Sequence, residues 1–414
     1  MPPATPLPAD EPGPAAGPGT PARPAGLSAR GALLAASSFC AVALLALVGV
    51  LDAPYVLLSP GPSIDVLSPP GDADDTGDAD DADDTGGAGD AGGGGDGALV
   101  QVSGAPTYPT RGRLDLTTVS LRGGPGLEVS LGEVLLAWRD PRVSVVPRSL
   151  YFAPTTTREE ADALSAAEMT GSQEAATVAA LRELGVPVPS TTTRRVQEVD
   201  PDAPAAAVLR PGDVITAVDG RDVGDFAALR AAVGALEPGA PVRLGVRRGE
   251  EDVEVATRTY APAGETLLGV VPDVEHDIPY DVDIAIDDVG GPSAGTVFAL
   301  ALVDLLTPGA MTGGEHVAGT GSISADGTVG TIGGLRQKVA GARREGARWF
   351  LAPAAECPEV AGGTPAGITV VPVRTLHEAR TAVEAIGAGR GEELSTCADA
   401  PGDAATGSGA RAAG

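Results

Sequence analysis

The chain has 414 residues with 28 Lys+Arg against 56 Asp+Glu, a formal charge of -28 at pH 7. That length suggests about two or three folded units with tails, and the 43% hydrophobic share can build real cores although aromatics are scarce. So negative a chain excludes a phosphate-neutralising nucleic-acid binder and a polybasic membrane patch. Its single lysine, Lys338 between Gln337 and Val339, excludes a Walker-type ATPase, whose phosphate loop needs Gly-Lys-Ser/Thr.

Residues 1–30 are rich in Pro, Ala and Gly without periodicity and read as a disordered cytoplasmic tail. Residues 31–51 form an uncharged run between Arg30 and Asp52, long enough to span a bilayer. The run exceeds a usual leader core and no convincing Ala-x-Ala site follows it. A single uncleaved transmembrane signal anchor is therefore expected, with a cleavable leader as the alternative. Arg23 and Arg30 precede the run and the next basic residue is Arg111, which puts the N-terminus inside the cell and all later residues outside the cytoplasm.

Residues 52–187 read as a β-rich region. It opens on the strand-like YVLLSPGPSIDVLS and is interrupted by an insert over 71–97 that holds ten aspartates. No Glu closes a calcium loop there, so the insert reads as a self-repelling, solvated linker; without it the net charge is -18. From 98 to 150 short β-type runs alternate with Gly and Pro turns, and a helix is expected over 158–185, ended by Gly185. Residues 188–262 contain RRVQEV, a helical AAAVL, a strand Val214–Val218 entered through Pro211-Gly212 and left through Asp219-Gly220, a helical DFAALRAAVGAL and a strand pair. Residues 263–388 are mixed α/β, and 389–414 read as a second disordered tail. The fold class is thus multidomain α/β (α+β). Cys40 lies in the apolar run. Cys357 and Cys397 are both on the exported side, where a disulfide is chemically permitted; pairing and two free thiols remain equally open.

The chemistry concentrates at two residues. Ser293 stands in Gly-Gly-Pro-Ser-Ala-Gly directly before an apolar helical run. Small neighbours leave its hydroxyl uncovered, and a helix N-terminus offers free N–H groups to an oxyanion. Lys338, forty-five residues on, falls in the first turn of a second helix, whose positive end disfavours an ammonium; burial lowers its proton affinity further. A neutral amine within reach of the hydroxyl is a general base, the Ser-Lys form of acyl transfer. Gly-Pro-Ser-Ala-Gly also satisfies the α/β-hydrolase elbow, for which His316 or His377 would serve as base, but the strand VDIAI does not run straight into the elbow. His276, His316 and His377 are scattered without ligand spacing, so neither a metal site nor a cofactor is expected.

The string DPDAPAAAVLRPGDVITAVDGRDVGDFAALRAAV resembles a PDZ domain of the bacterial, protease-associated type, which implies peptide binding by strand addition. The Gly-rich carboxylate loop of such domains is not recognisable in GVPVPSTTTRRV. Residues 263–388 resemble the proteolytic domain of Lon proteases: its Gly-Pro-Ser-Ala-Gly serine and Ile-Gly-Gly-Leu-Arg-x-Lys lysine match Ser293 and Lys338, and AGTGSISADGTVGTIGG matches the stretch between. The resemblance implies that Thr320 hydrogen-bonds and orients Lys338. The order anchor, PDZ, Lon-type domain is similar to bacterial PDZ-containing Lon-like (S16) proteases, with Gly290 where many Lon enzymes carry an acid and Asp287 and Asp288 nearby. What this implies is an ATP-independent, membrane-anchored serine endopeptidase acting on peptides or unfolded segments, assembled as an oligomer, since six-membered rings are common in that family. An inactive, membrane-tethered PDZ adaptor is the rival from another class.

Overall fold

The computed structural model describes residues 29–67, 99–262, 264–286, 289–360 and 362–399. The acidic insert, all but the last two residues of the N-terminal tail, and Asp287 and Asp288 lie outside the described residues. The first element, α1 (Ala29–Val50), covers the run expected to be an anchor. The expected span itself is not found: among the described residues no helix is long and apolar enough to cross a membrane, and several side chains of α1 are outside the description.

Beyond it come β1 (Tyr55–Asp65), β2 (Arg113–Arg122), α2 (Leu131–Ala137), β3 (Ser144–Pro147) and α3 (Arg158–Glu183). Helix α3 starts on a reciprocal cap, Thr157 Oγ1 accepting from the Glu160 N–H while the Glu160 carboxylate accepts from the Thr157 N–H. The next stretch holds β4 (Ser190–Val199), β5 (Val214–Val218), α4 (Phe226–Gly234), β6 (Pro241–Arg248), β7 (Glu251–Arg258) and β8 (Val270–His276), followed by α5 (Gly295–Leu306), β9 (His316–Gly319), α6 (Leu335–Arg344), β10 (Trp349–Pro353), β11 (Thr369–Val373) and α7 (Leu376–Gly387).

Two units result, and their boundaries correct the expected ones. Strands β4 to β8 form one antiparallel sheet in the order β7-β6-β5-β4-β8, packed with α4 around Ile215, Leu229, Leu244 and Val246. Strand β8, within the stretch read as the start of the Lon-type region, instead completes this PDZ sheet, because it pairs antiparallel with β4 over Val270↔Val199 to His276↔Ser190. The Asp219-Gly220 turn is as expected: both residues have positive φ, 47° and 74°, and Val218 pairs with Arg221 across it.

The second unit is discontinuous. Its sheet runs β11-β10-β9-β2-β1-β3. The first four strands are parallel, with Ala318 opposite both Asp115 and Phe350, and β1 and β3 are antiparallel additions. The β-rich region of 52–187 is therefore no separate unit; it supplies half of the sheet on which the Lon-type region is built. Hydrophobic alternation told where strands lie but named no partner about 200 residues away, and partner choice is set by packing. Side chains alternate across the sheet. Leu351 enters the core with α3, α5 and α7, whereas Phe350 and Ala352 pack under α6 with Leu335 and Val339.

The expected tail over 389–414 is also corrected in part. Cys357 and Cys397 form a disulfide, Cys397 is buried and its N–H donates to the Val370 carbonyl at 2.9 Å, so the chain is held against β11 through residue 399.

Candidate active site

Helix α5 is apolar on every side, and its residues Gly295–Asp304 are all buried, as befits a central core helix. Its N-terminus carries the serine turn. Helix α3 braces that turn: the Gly291 N–H donates to the Ser165 carbonyl at 3.1 Å and Ser172 Oγ donates to the Pro292 carbonyl at 3.1 Å. The fit is close, since a Cβ at Gly290 would collide with Ser165 Oγ, which gives a steric reason for glycine at the position where many Lon enzymes carry an acid. From the other side the Ser293 carbonyl accepts from the Gly321 N–H at 2.9 Å and from Thr320 Oγ1 at 3.0 Å. The backbone N–H groups of Ser293 and Ala294 have no acceptor among the described residues.

The lysine arrives on α6. Gly334, its N-cap, has φ 72°, a left-handed conformation that a Cβ would strain, and a Cβ there would lie 2.9 Å from Val119. This sharp entry sends Lys338 back over the sheet. Its Nζ stands 2.8 Å from Ser293 Oγ and donates to the Thr117 carbonyl of β2 at 2.8 Å. Thr117 is held in turn by its own hydroxyl, which donates to the Gly319 carbonyl at 3.0 Å. The neighbouring Gln337 amide donates to Ser144 Oγ at 2.8 Å, pinning α6 to β3. With the lysine only 3% exposed, burial pushes the amine from 10.5 down to about 8, against the opposing pull of the Glu356 charge. A neutral amine is thereby accessible near physiological pH.

Ser293 and Lys338 lie together in the structure, but Thr320 bonds elsewhere than the resemblance implied. Its hydroxyl bonds the Ser293 carbonyl and so fixes the serine turn; the partners of the lysine amine are Ser293 and Thr117. The two histidines considered as bases are engaged away from the serine, His316 Nε2 with Asp115 at 2.7 Å and His377 Nδ1 with Glu183 at 2.9 Å. Four contributing residues went unnoticed in the sequence. Thr117 acts through its backbone, which leaves no side-chain signature. Ser165 and Ser172, seven apart and so on one helix face, carried the only signal that α3 had a partner. Glu356, whose Oε1 accepts from the Ile332 N–H at 2.7 Å, works on a backbone group 24 residues earlier, which no local pattern announces. In the PDZ unit, an apolar groove of about 230 Å³ lies between α4 and the segment before β8, lined by Phe226, Leu229, Val233, Leu267, Leu268 and Val270. Its loop, Thr266-Leu267-Leu268-Gly269, follows the PDZ helix and strand pair, whereas GVPVPSTTTRRV runs into β4.

Comparison with known proteins divides the chain at the same place. Residues 183–259 match the family model of the PDZ domain, and residues 279–379 match that of the Lon protease (S16) C-terminal proteolytic domain. The chain is similar to Lon protease of Roseiflexus castenholzii, 37% identical over 107 residues, which is 25% of this chain and 13% of that protein. It is similar to Lon protease of Buchnera aphidicola, 34% identical over 134 residues, 31% of this chain and 17% of that one. The match to Lon protease 1 of Bacillus subtilis is 37% identical over 102 residues, 24% and 13% of the two chains. The chain thus spans under a fifth of the length of these curated relatives. Among solved structures, the PDZ domain of an SdrC-like protein from Listeria monocytogenes is similar at 25% identity, covering 19% of this chain and 84% of that one with a TM-score of 0.18. A PDZ domain and a Lon-type proteolytic domain therefore follow one another in this mixed α/β chain.

Proposed function

We propose that the chain is a membrane-anchored, ATP-independent serine endopeptidase in which Ser293 is the nucleophile and Lys338 the general base. The observation that carries the reading is the 2.8 Å separation of Nζ and Oγ with the amine out of water. In the neutral amine the lone pair faces the serine hydroxyl while an N–H stays on the Thr117 carbonyl, so the side chain is oriented by a partner that takes no proton. Oγ attacks the substrate carbonyl carbon as its proton passes to Nζ. The resulting oxyanion is met by the N–H groups of Ser293 and Ala294, which have no acceptor among the described residues. Nζ then returns the proton to the departing amine, leaving an acyl-serine, and a water activated by the same amine hydrolyses it. Thr320 keeps the serine turn in register for both steps.

Several sequence features support the rest of the reading. The 31–51 run is uncharged and has arginines only before it, which fits an anchor with the catalytic unit outside the cytoplasm. The single lysine is spent on the dyad, so unfolding by a phosphate-loop ATPase within this chain is not available, and peptides or unfolded segments are the substrates. The PDZ groove fits an extended polypeptide. Assembly into a ring is the expectation carried by the Lon resemblance.

The test uses the full chain in vesicles with an unfolded casein-like substrate and an acylating probe. Lys338→Arg, which keeps the charge but cannot supply a free base, is expected to abolish both cleavage and Ser293 acylation, while His316→Gln and His377→Gln retain them. Retained activity in Lys338→Arg ends the Ser-Lys reading. A wild-type chain that neither cleaves nor is acylated favours the PDZ adaptor.

A further inference from the structure

Behind the lysine lies a carboxylate that the mechanism above does not use. Glu356 sits in the 3-10 turn Ala354–Glu356 that leaves β10, and it is buried. Oε1 accepts from the Ile332 N–H at 2.7 Å, whereas Oε2 is buried without a hydrogen-bond partner among the described residues. Ile332 opens the turn Ile332-Gly333-Gly334, and the Gly334 carbonyl accepts from the Lys338 N–H at 3.1 Å. The acid therefore grips the turn from which the catalytic helix departs. It is itself fixed on both flanks, by the parallel pairing of Pro353 with Val373 and by the Cys357–Cys397 disulfide of the next residue.

We propose that Glu356 is a positioning residue of the dyad: one oxygen fixes the turn that aims Lys338 at Ser293, and the other places negative charge behind the amine. The inference rests on the Ser-Lys reading for its catalytic meaning. A buried oxygen without a partner is unfavourable in general, so its retention calls for a role. Burial alone would drive the amine toward ever lower proton affinity, and a base that weak takes a serine proton poorly; a carboxylate behind it offsets the drift. The charged groups around the acid are few. Burial, above all, raises the proton affinity of its carboxyl, and Glu359, on the following helical turn Cys357–Val360, adds to that, while the Ile332 N–H and the Lys338 charge favour the ionised form. Arg336 reaches that turn only at the Glu359 carbonyl, with Nε, and Tyr151 is influenced by Glu359.

Because Lys338 is the only lysine of the chain, protein made with 13Cε-lysine gives one side-chain signal, whose chemical shift against pH reports this amine with no activity required. Glu356→Gln keeps an acceptor for Ile332 but removes the charge. It is expected to move the amine's midpoint down by about half a pH unit or more and to carry the acid limb of the kcat/KM profile with it. Glu356→Ala loses both functions and is expected to lower kcat about tenfold or more with little change in KM, most of the loss being rescued by Gln. Should the Ala variant not fold, Glu356→Asp, whose shorter reach abandons Ile332, replaces it. An amine midpoint unchanged in Glu356→Gln, or a wild-type kcat in the variants that lose the Ile332 contact, overturns the inference. If the wild type hydrolyses nothing, the peptidase reading fails, and the titration still decides whether the acid acts on the amine.

Discussion

The PDZ unit and the proteolytic unit both bury carboxylates, and two in the proteolytic unit are satisfied in the opposite way to Asp213 of the PDZ unit. Asp213, at the mouth of β5, is 1% exposed and accepts from Arg248 Nε at 2.8 Å, Arg248 Nη2 at 2.7 Å and the Arg210 N–H at 2.9 Å. The arginine hydrogen bonds, above all, hold its carboxyl below the usual range. Asp304 on α5 and Glu356 beside α6 each keep one oxygen without a partner among the described residues, and burial pushes both carboxyls up, Asp304 to about 6. Being in the proteolytic unit does not decide the matter. Asp115, in the same sheet, follows the Asp213 pattern with Arg113 and His316. A fully hydrogen-bonded charge locks two pieces of backbone together, whereas a half-satisfied one stays sensitive to its surroundings. The helices that carry serine and lysine are the ones bordered by the second kind.

The contrast can be broken or sharpened by substitution. The largest effect belongs to the amine itself: Lys338→Met should lower kcat on the order of 10⁴-fold, read with a peptide substrate. In the wild type kcat/KM should climb as pH rises toward about 8 and level off above it, because the reactive form is the neutral amine. The same shift enters stability. The folded amine titrates below its unfolded value of 10.5, so the unfolded chain binds the extra proton in between. Resistance to urea should accordingly rise from about pH 8 to pH 10.5, on the order of 3 kcal/mol, a slope that Lys338→Met removes.

Next in size is Asp213→Ala, which leaves Arg248 facing an emptied, buried socket. Destabilisation of the PDZ unit by roughly 2–3 kcal/mol is expected, measured by urea unfolding, with the rate on short peptides retained. Asp304→Asn should act in the opposite sense. A carboxyl titrating near 6 when folded, against 3.8 when unfolded, contributes stability that is full below 3.8 and is lost as pH rises through about 6. The amide keeps the bond from the Met311 N–H, 2.7 Å in the wild type, so the variant should melt higher at pH 7, by on the order of 2 kcal/mol, and gain nothing at pH 3.5. Smallest is the exposed Arg247–Asp252 pair, 2.9 Å across the same PDZ sheet. Its removal should leave the urea midpoint unmoved, as surface pairs of this kind generally do. A large effect there would mean that pairing rather than burial distinguishes Asp213.

How much was legible follows from sequence distance. The serine turn, the lysine helix and the Asp219-Gly220 hairpin are written in a few adjacent residues, and each was found where expected. The sheet that joins them is written in pairings such as Ala318 with Asp115, which no local pattern specifies, so the β-rich half was mistaken for a unit of its own. Thr117 works through a carbonyl that any residue would supply, and Thr320 was placed correctly but given the wrong partner. The Gly- and Ala-rich character of 389–414 read as a free tail because the Cys357–Cys397 pairing, open in the sequence, is what ties its first residues to the fold. The boundary between 262 and 263 fell too early because β8 pairs with β4 from the other end of the PDZ unit, which no local pattern specifies.

The discontinuous sheet also dictates a timetable. The carbonyl that orients the amine precedes it by 221 residues and the hydroxyl by 45, while β10 and β11, which close the layer over α6, emerge later still. Contacts of such long range form late, and a chain leaving the ribosome holds its nucleophile before the residue that would arm it. On the Ser-Lys reading proposed above, the dyad is complete only once Lys338 has emerged, so the chain is made in an unarmed form.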